Sequence, residues 1–284
     1  MAIRLDGKQT ALKLREDVKQ EVDKLREAGK RIPGLAVVLV GADPASQIYV
    51  RNKERALEKA GMKSFAHHLP AETTQEELLD LIRSLNENPE VDGILCQLPL
   101  PEGLDEELVI RTIDPEKDVD GFHPINAGRL LLGLDGLQPC TPAGVIYMLD
   151  QYEYDYEGKN ALVIGRSNIV GKPMALMLLS KNCTVEVAHS RTKDLAQKVK
   201  EADLIVAAVG KLGLIDKSMV REDQWIVDVS INRTEDGKVR GDVVYDEVEP
   251  IVEALTPVPG GVGPMTIAML MKNTLTAYYR HEEK

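Results

Sequence analysis

Residues 161–171, ALVIGRSNIVG, constrain this chain more than any other stretch: an apolar run stops at a glycine, and a turn of small residues leads into a helical segment. A strand that ends this way aims the first N–H groups of the next helix at whatever lies above the strand tip, which suits a phosphate. The usual dinucleotide fingerprint places glycines at 165, 167 and 170. Here only Gly165 is present, and Gly171 falls one residue late. Alone, the pattern serves equally as a tight strand-to-helix turn in any α/β domain. Its continuation is more telling. Residues 184–188 alternate like a second strand and end in His189, Ser190 and Arg191, near where such a fold meets the adenosine ribose. A carboxylate at that tip would select NAD. A hydroxyl and a guanidinium, with Arg166 close to the same corner, suit a 2′-phosphate, so NADP is the expected cofactor; a solvated surface Arg191 is the plain alternative. Two more buried-type runs, 204–209 and 226–229, end at Gly210 and Ser230 with βα spacing, which predicts a parallel sheet.

At 284 residues, 43% of them hydrophobic, the chain can fill two cores. A net charge of -11 argues against a nucleic-acid partner and against attraction to an anionic membrane, so any anion must be held by local positive groups. No apolar run reaches the length of a membrane span, and the first ten residues lack the apolar core of a signal peptide, so a cytoplasmic location is expected. Cys96, Cys140 and Cys183 are widely spaced among apolar or small residues and read as buried thiols. His67 and His68 are adjacent and have no partner at ligand spacing, and the DVD at Asp118 to Asp120 has no further ligand set beside it; no metal site is expected.

The first half has its own α/β organisation. An amphipathic helix is predicted over 8–28, stopped by Gly29, then strands at 35–40, 65–69 and 93–98 with a polar helix over 74–86 between the last two. The fold class that follows is α/β, with two three-layer domains: a small N-terminal α/β domain and a Rossmann-type dinucleotide-binding domain with a parallel sheet. The boundary is expected between the turn-rich 118–124 and Thr141-Pro142. After a last strand over 254–258, a helix over 265–279 has no sheet left to cross and returns to the first domain.

Asp43 is a natural N-cap and Pro44 fits a first helical position, so a helix begins there and runs to Gly61. Tyr49 and Lys53, four apart, share one face of it. A lysine held in a partly desolvated cleft can exchange protons; an exposed lysine with a tyrosine over its stem is the plain alternative. The pair also occurs in short-chain dehydrogenases, but there it follows the dinucleotide turn, whereas here it precedes it by more than a hundred residues. Gln97 ends the 93–98 run, where α/β proteins put ligand contacts, or else it pins the LPLP turn that follows. PGGVGP at 259–264 lets a backbone pass close to a planar ligand, or simply stiffens a helix entry.

Together these segments resemble the bifunctional methylenetetrahydrofolate dehydrogenase/cyclohydrolase family. The resemblance spans essentially the whole chain on five ordered motifs: SQIYVRNKERA, GILCQLPLP, KDVDGFHP, GRSNIVGKP and PVPGGVGPMT. One departure is Ser230 in DVSIN, where the family more usually has glycine. The resemblance implies NADP-dependent oxidation of 5,10-methylenetetrahydrofolate and hydrolysis of the methenyl product to 10-formyltetrahydrofolate, within one-carbon metabolism and purine biosynthesis. It implies a folate-binding catalytic domain of 1–139 with 270–284 and an NADP-binding domain of 140–269. Lys53 would transfer protons, Gln97 would hydrogen-bond it, Tyr49 would stack on the aminobenzoate ring, and Asp120 would accept from the pterin. Pro259, Gly260, Gly261, Val262 and Gly263 would line the folate site. Gly165, Arg166, Ser167, Ile169, Val170, Gly171, His189, Ser190, Arg191, Gly210 and Ile231 would bind the cofactor. A homodimer is implied as well. A dehydrogenase-only member, a non-catalytic folate or nucleotide-binding module, and an unrelated oxidoreductase acting on a hydroxy acid or sugar stay open at this point.

Overall fold

Runs without a polar side chain become strands buried on both faces, as parallel sheets covered by helices require. The computed structural model describes residues 2–234 and 237–283. In chain order its elements are β1 (Ile3–Arg4), α1 (Gly7–Glu27), β2 (Gly34–Val40), α2 (Pro44–Ala60), β3 (Lys63–Leu69), α3 (Gln75–Glu87), β4 (Gly93–Cys96), α4 (Glu106–Thr112), α5 (Pro124–Leu131), α6 (Cys140–Gln151) and β5 (Asn160–Ile164). They continue as α7 (Gly171–Ser180), β6 (Thr184–Ala188), α8 (Leu195–Glu201), β7 (Leu204–Ala207), β8 (Trp225–Asp228), β9 (Asn232–Arg233), β10 (Val239–Arg240), α9 (Tyr245–Val248), β11 (Ala254–Leu255) and α10 (Val262–Glu282). The chain divides into two units, Leu12–Cys140 with Ile267–Lys284, and Met1–Ala11 with Thr141–Thr266. Among the described residues no helix is long and apolar enough to cross a membrane.

In the unit built on 12–140, three parallel strands are ordered β3-β2-β4. β2 is central and wholly buried. Its alternate residues Ala36, Val38 and Val40 pack with Leu78, Leu79, Ile82 and Leu85 of α3 and Val109 of α4. The segment after α4 adds a parallel bridge, Ile94 to Asp118, on the far side of β4. The end of α10 belongs to this unit: Asn273 Nδ2 donates to the carbonyls of Val119 (2.8 Å) and Gln138 (2.9 Å), and Arg280 pairs with Asp135.

The other unit carries a six-stranded, wholly parallel sheet in the order β1-β11-β8-β7-β5-β6. β6 and β7 flank β5 on opposite sides, so the direction of winding reverses at β5, the topological switch point where such sheets bind ligands. Residues 1–11 group here because β1 pairs with β11, whereas the sequence division assigned them to the first domain. Two predicted strands end early for local reasons. The run 204–209 stops at Ala207 because the Val209 and Gly210 amides turn to Asp242, and 254–258 stops at Leu255 ahead of Pro257, which has no N–H to give the ladder.

Candidate active site

The helix that follows β2 has both ends specified locally. The Asp43 carboxylate accepts from Ser46 N (2.7 Å), Pro44 sits in the first turn, and Gly61, at φ +71°, closes the last turn as only a residue tolerant of the left-handed region can. Along one face of α2 the buried positions Ser46, Val50, Leu57 and Ala60 form a stripe of helical spacing, and Lys53 stands in that stripe. It is therefore half-buried where an apolar residue would be expected. Its Nζ donates to Gln97 Oε1 (3.0 Å), while Gln97 Nε2 donates to the Leu98 carbonyl (2.6 Å). The second bond orients the amide so that its oxygen faces the lysine. One side chain thus pins the following turn, as the structural alternative for Gln97 expects, and also holds Lys53. Gln97 N still donates to Val38 O (2.9 Å), one residue past β4, so the amide stands at the carboxyl end of the sheet.

The KDVDGFHP segment divides its two carboxylates between structure and site. Asp118 is buried and accepts from Phe122 N, His123 N and Asn126 Nδ2 (3.1, 2.8 and 2.9 Å), which organises the entry to α5; burial pushes its carboxyl up to about 7. The Asp120 carboxylate accepts no hydrogen bond from any described residue, although its carbonyl accepts from Cys140 N (3.3 Å). Burial raises its pKa, and the nearby Lys53 charge works against that rise. A desolvated carboxylate with empty acceptor positions beside an ammonium is a site for a ligand bearing N–H donors. Tyr49, one turn before Lys53, is exposed, and its hydroxyl has no hydrogen-bond partner among the described residues. Lys53, Gln97 and Asp120 therefore gather at the carboxyl ends of one parallel sheet, the face on which such sheets bind ligands.

In the other unit, Gly165 ends β5 at φ +133°, where a Cβ would lie 2.5 Å from Ala208 O. Gly171 opens α7 directly against it: a Cβ there would lie 2.3 Å from Gly165 O and 2.7 Å from Arg166 N. Gly171 thus makes the close helix-to-strand approach expected of the third fingerprint glycine, one residue later. Ser167 Oγ accepts from Val170 N (3.2 Å) and Gly171 N (3.3 Å), tying the turn to the helix start. Ile169 is exposed on that turn and Val170 half-buried. At the tip of β6, His189 Nδ1 accepts from Arg191 N (3.1 Å). Arg166, Ser190 and Arg191 are exposed, and neither arginine forms an ion pair among the described residues. Close backbone at the switch point, with exposed arginines on the turns after β5 and β6, is compatible with an anionic dinucleotide. Gly210 and Ile231 are exposed at the tips of β7 and β8.

The 259–264 turn also belongs to this unit. Lys8 N donates to Gly260 O (2.9 Å), and Gly7 packs so closely on Gly261 that a Cβ would lie 1.9 Å from its carbonyl oxygen. Gly261 and Val262 are buried, whereas Pro259 is exposed and Gly260 and Gly263 are half-exposed. Sequence reasoning missed Asp242, which is fully buried and accepts five hydrogen bonds. Its one signal, Gly241-Asp242, reads as an ordinary turn.

A dinucleotide-type turn in one unit and a lysine, an amide and a carboxylate gathered in the other fit an oxidoreductase by class. Profiles of tetrahydrofolate dehydrogenase/cyclohydrolase match it twice, the catalytic domain over residues 5–120 and the NAD(P)-binding domain over 139–282. The chain belongs to the tetrahydrofolate dehydrogenase/cyclohydrolase family. It is 56% identical to the "Bifunctional protein FolD" of Maridesulfovibrio salexigens over 281 residues, 98% of each chain. The crystal structure of the bifunctional enzyme FolD from Campylobacter jejuni superposes with a TM-score of 0.97 at 50% identity, covering 99% of both chains. The FolD of Trypanosoma brucei, solved with NADP cofactor and inhibitor, gives 0.95 at 35% identity, covering 100% of this chain and 99% of that one.

Proposed function

We propose that the chain oxidises 5,10-methylenetetrahydrofolate to the methenyl compound with NADP and hydrolyses that product to 10-formyltetrahydrofolate. Folate chemistry is assigned to the unit carrying Lys53, and nucleotide binding to the unit carrying Gly165. NADP, when bound, accepts a hydride from the one-carbon bridge; the chain's task in that step is orientation. Gly165, Ser167, Ile169, Val170 and Gly171 would bind the pyrophosphate side, Arg166, His189, Ser190 and Arg191 the adenosine corner, and Gly210 and Ile231 the nicotinamide side.

The observation that carries the reading is the Lys53 to Gln97 hydrogen bond beside the open carboxylate of Asp120. The methenyl cation is electrophilic enough for water without a metal, so what hydrolysis needs is a proton carrier. In its neutral amine form Lys53 takes a proton from the adding water at Nζ, and the ammonium so formed returns one to the ring nitrogen as the carbon–nitrogen bond breaks and the ring opens. Gln97 holds the amine in place without adding a second charge, as a carboxylate in its position would. Asp120 accepts from the amino and ring N–H groups of the pterin, and Tyr49 stacks on the aminobenzoate ring. Pro259, Gly260, Gly261, Val262 and Gly263 offer close backbone to the folate. We further assign the protein to the cytoplasm as a homodimer, supplying a formyl donor of the kind purine biosynthesis consumes.

The test is a two-signal assay, following reduced cofactor and methenyl absorbance after mixing the protein with methylenetetrahydrofolate and NADP. Lys53→Met is expected to lower methenyl hydrolysis by about 100-fold or more, from the lower end of general acid–base contributions upward, while NADP still binds. Hydrolysis at near wild-type rate in that variant would remove Lys53 from the mechanism.

A further inference from the structure

Asp242 lies outside every motif that marks the site. Its Oδ2 accepts from Val209 N (2.9 Å), Gly210 N (3.2 Å) and Ser230 Oγ (2.7 Å), and its Oδ1 from Lys211 N (2.7 Å) and Asn232 Nδ2 (3.1 Å). Ser230 Oγ accepts in turn from Gly210 N (3.0 Å). The donors come from the turn after β7 and from the segment after β8 that leads into the start of β9. A single buried carboxylate thus fastens two neighbouring strand tips to each other, with the hydroxyl of Ser230 as a link between them.

The consequence for a ligand is directional. A trans peptide aims its carbonyl opposite to its N–H. With the amides of Gly210 and Lys211 turned onto Asp242, the carbonyls of Val209 and Gly210 face the other way, and no described residue donates to either. The apolar side chains of Val209 and Ile231 stand exposed on the same turns. In a doubly wound sheet the tips past the switch point serve the second mononucleotide half.

We infer that Asp242, linked through Ser230, is a positioning residue for the nicotinamide half of the dinucleotide. It holds the β7 and β8 turns in the backbone shape that receives the ring. The inference rests on the nucleotide site proposed above. It also gives the Ser230 hydroxyl a physical part in that site.

The test compares two probes by equilibrium titration of the intact protein: NADP, and adenosine 2′,5′-bisphosphate, which lacks the nicotinamide half. Asp242→Asn keeps the shape but turns one acceptor into a donor that faces other donors. It is expected to weaken NADP by roughly 10- to 100-fold, the range for lost hydrogen bonds to a charged group. Ser230→Ala removes one donor and one acceptor and is expected to weaken NADP by about 5-fold, in line with a neutral hydrogen bond. The bisphosphate should change less than about 2-fold in both variants, because its contacts lie at β5 and β6. Should Asp242→Asn fail to fold, Ser230→Ala carries the comparison alone. Unchanged NADP affinity overturns the inference, and so does equal weakening of both probes, which would mark a merely structural role. Failure of the unaltered protein to bind the bisphosphate overturns the nucleotide site itself, and the inference with it.

Discussion

Asp228 and Asp242 lie in the same loop system, yet they solve different problems. Both oxygens of Asp228 are engaged, by Ser230 N (3.1 Å) and Val243 N (2.8 Å), and Gly241 leaves the space it needs, since a Cβ there would lie 1.9 Å from Oδ2. Burial pushes its carboxyl up to about 6; the amides of Val243 and Asp242 oppose that rise, and the charge of Asp242 adds to it. The folded state therefore keeps a proton that the unfolded chain releases near pH 4, and the linked stability falls as pH rises from about 4 to about 6 and is level above. Asp228→Asn cannot titrate. The stability of the wild type relative to this variant is expected to drop by about 3 kcal/mol between pH 4 and pH 7, measured by denaturant unfolding at both values. A difference that stays constant across that range would contradict the assignment. Neither aspartate was legible as a structural group in the sequence, because what engages them is backbone amide, which no residue pattern displays. Lys53 and Gln97 were legible as types at positions, but the bond between them was not, since it joins residues 44 apart.

Among elements, those with local signals at both ends read well. α2 starts at Asp43-Pro44 and stops at Gly61, as its capping chemistry predicts, and the buried β2, β5 and β7 follow from apolar composition. β1 was missed, and β11 was read only as a longer strand over 254–258. Each is two residues long, and they pair across some 250 positions, so neither carries a period and no turn joins them. α4 and α5 were missed because seven or eight residues give too few turns for a stripe to stand out. The fingerprint loop shows what spacing alone cannot: Gly171 is required by contact with Gly165 whatever its offset in the motif. Gly171→Ala is expected to cost about 1–3 kcal/mol through overpacking against backbone that cannot yield, and to weaken NADP binding with it. Gly128, inside α5 with open space around its Cβ position, is the contrast. Gly128→Ala should stabilise by roughly 0.5–1 kcal/mol through helix propensity. Unfolding midpoints of the pair check both signs, and a neutral Gly171→Ala would refute the close-approach argument.

At the scale of the whole molecule, the chain's two ends are built into different units. Residues 1–11 complete the six-stranded sheet, and residues 267–284 complete the unit built on 12–140. The second attachment turns on Asp92, a fully buried carboxylate just before β4. Arg31 grips it with two bonds (2.7 and 2.9 Å), Gly34 N donates to it from the start of β2 (2.8 Å), and His281 Nδ1 of α10 lies 3.0 Å away. Arg31 also reaches Glu282 (2.9 Å) and lies over the Tyr278 ring, 4.7 Å from its centroid. One carboxylate therefore joins a strand start, a strand approach and the last turn of the terminal helix. Burial tends to raise its pKa, but the bonds from His281, Arg31 and Gly34 outweigh that, and the net displacement is downward. A lowered folded value means the linked stability is present above the ordinary carboxylate range and is lost as pH falls through the folded value. Asp92→Asn is accordingly expected to destabilise by about 3 kcal/mol at pH 7, the scale of breaking one side of a buried pair. The deficit should shrink as the wild type is taken below about pH 4, where the unfolded chain takes up a proton at this carboxylate that the folded state still refuses. Hydrogen exchange of α10 amides should report the same variant as faster in the last turns of the helix. Exchange there unchanged from the wild type would mean that the terminal helix is held by its apolar face and Asn273 alone.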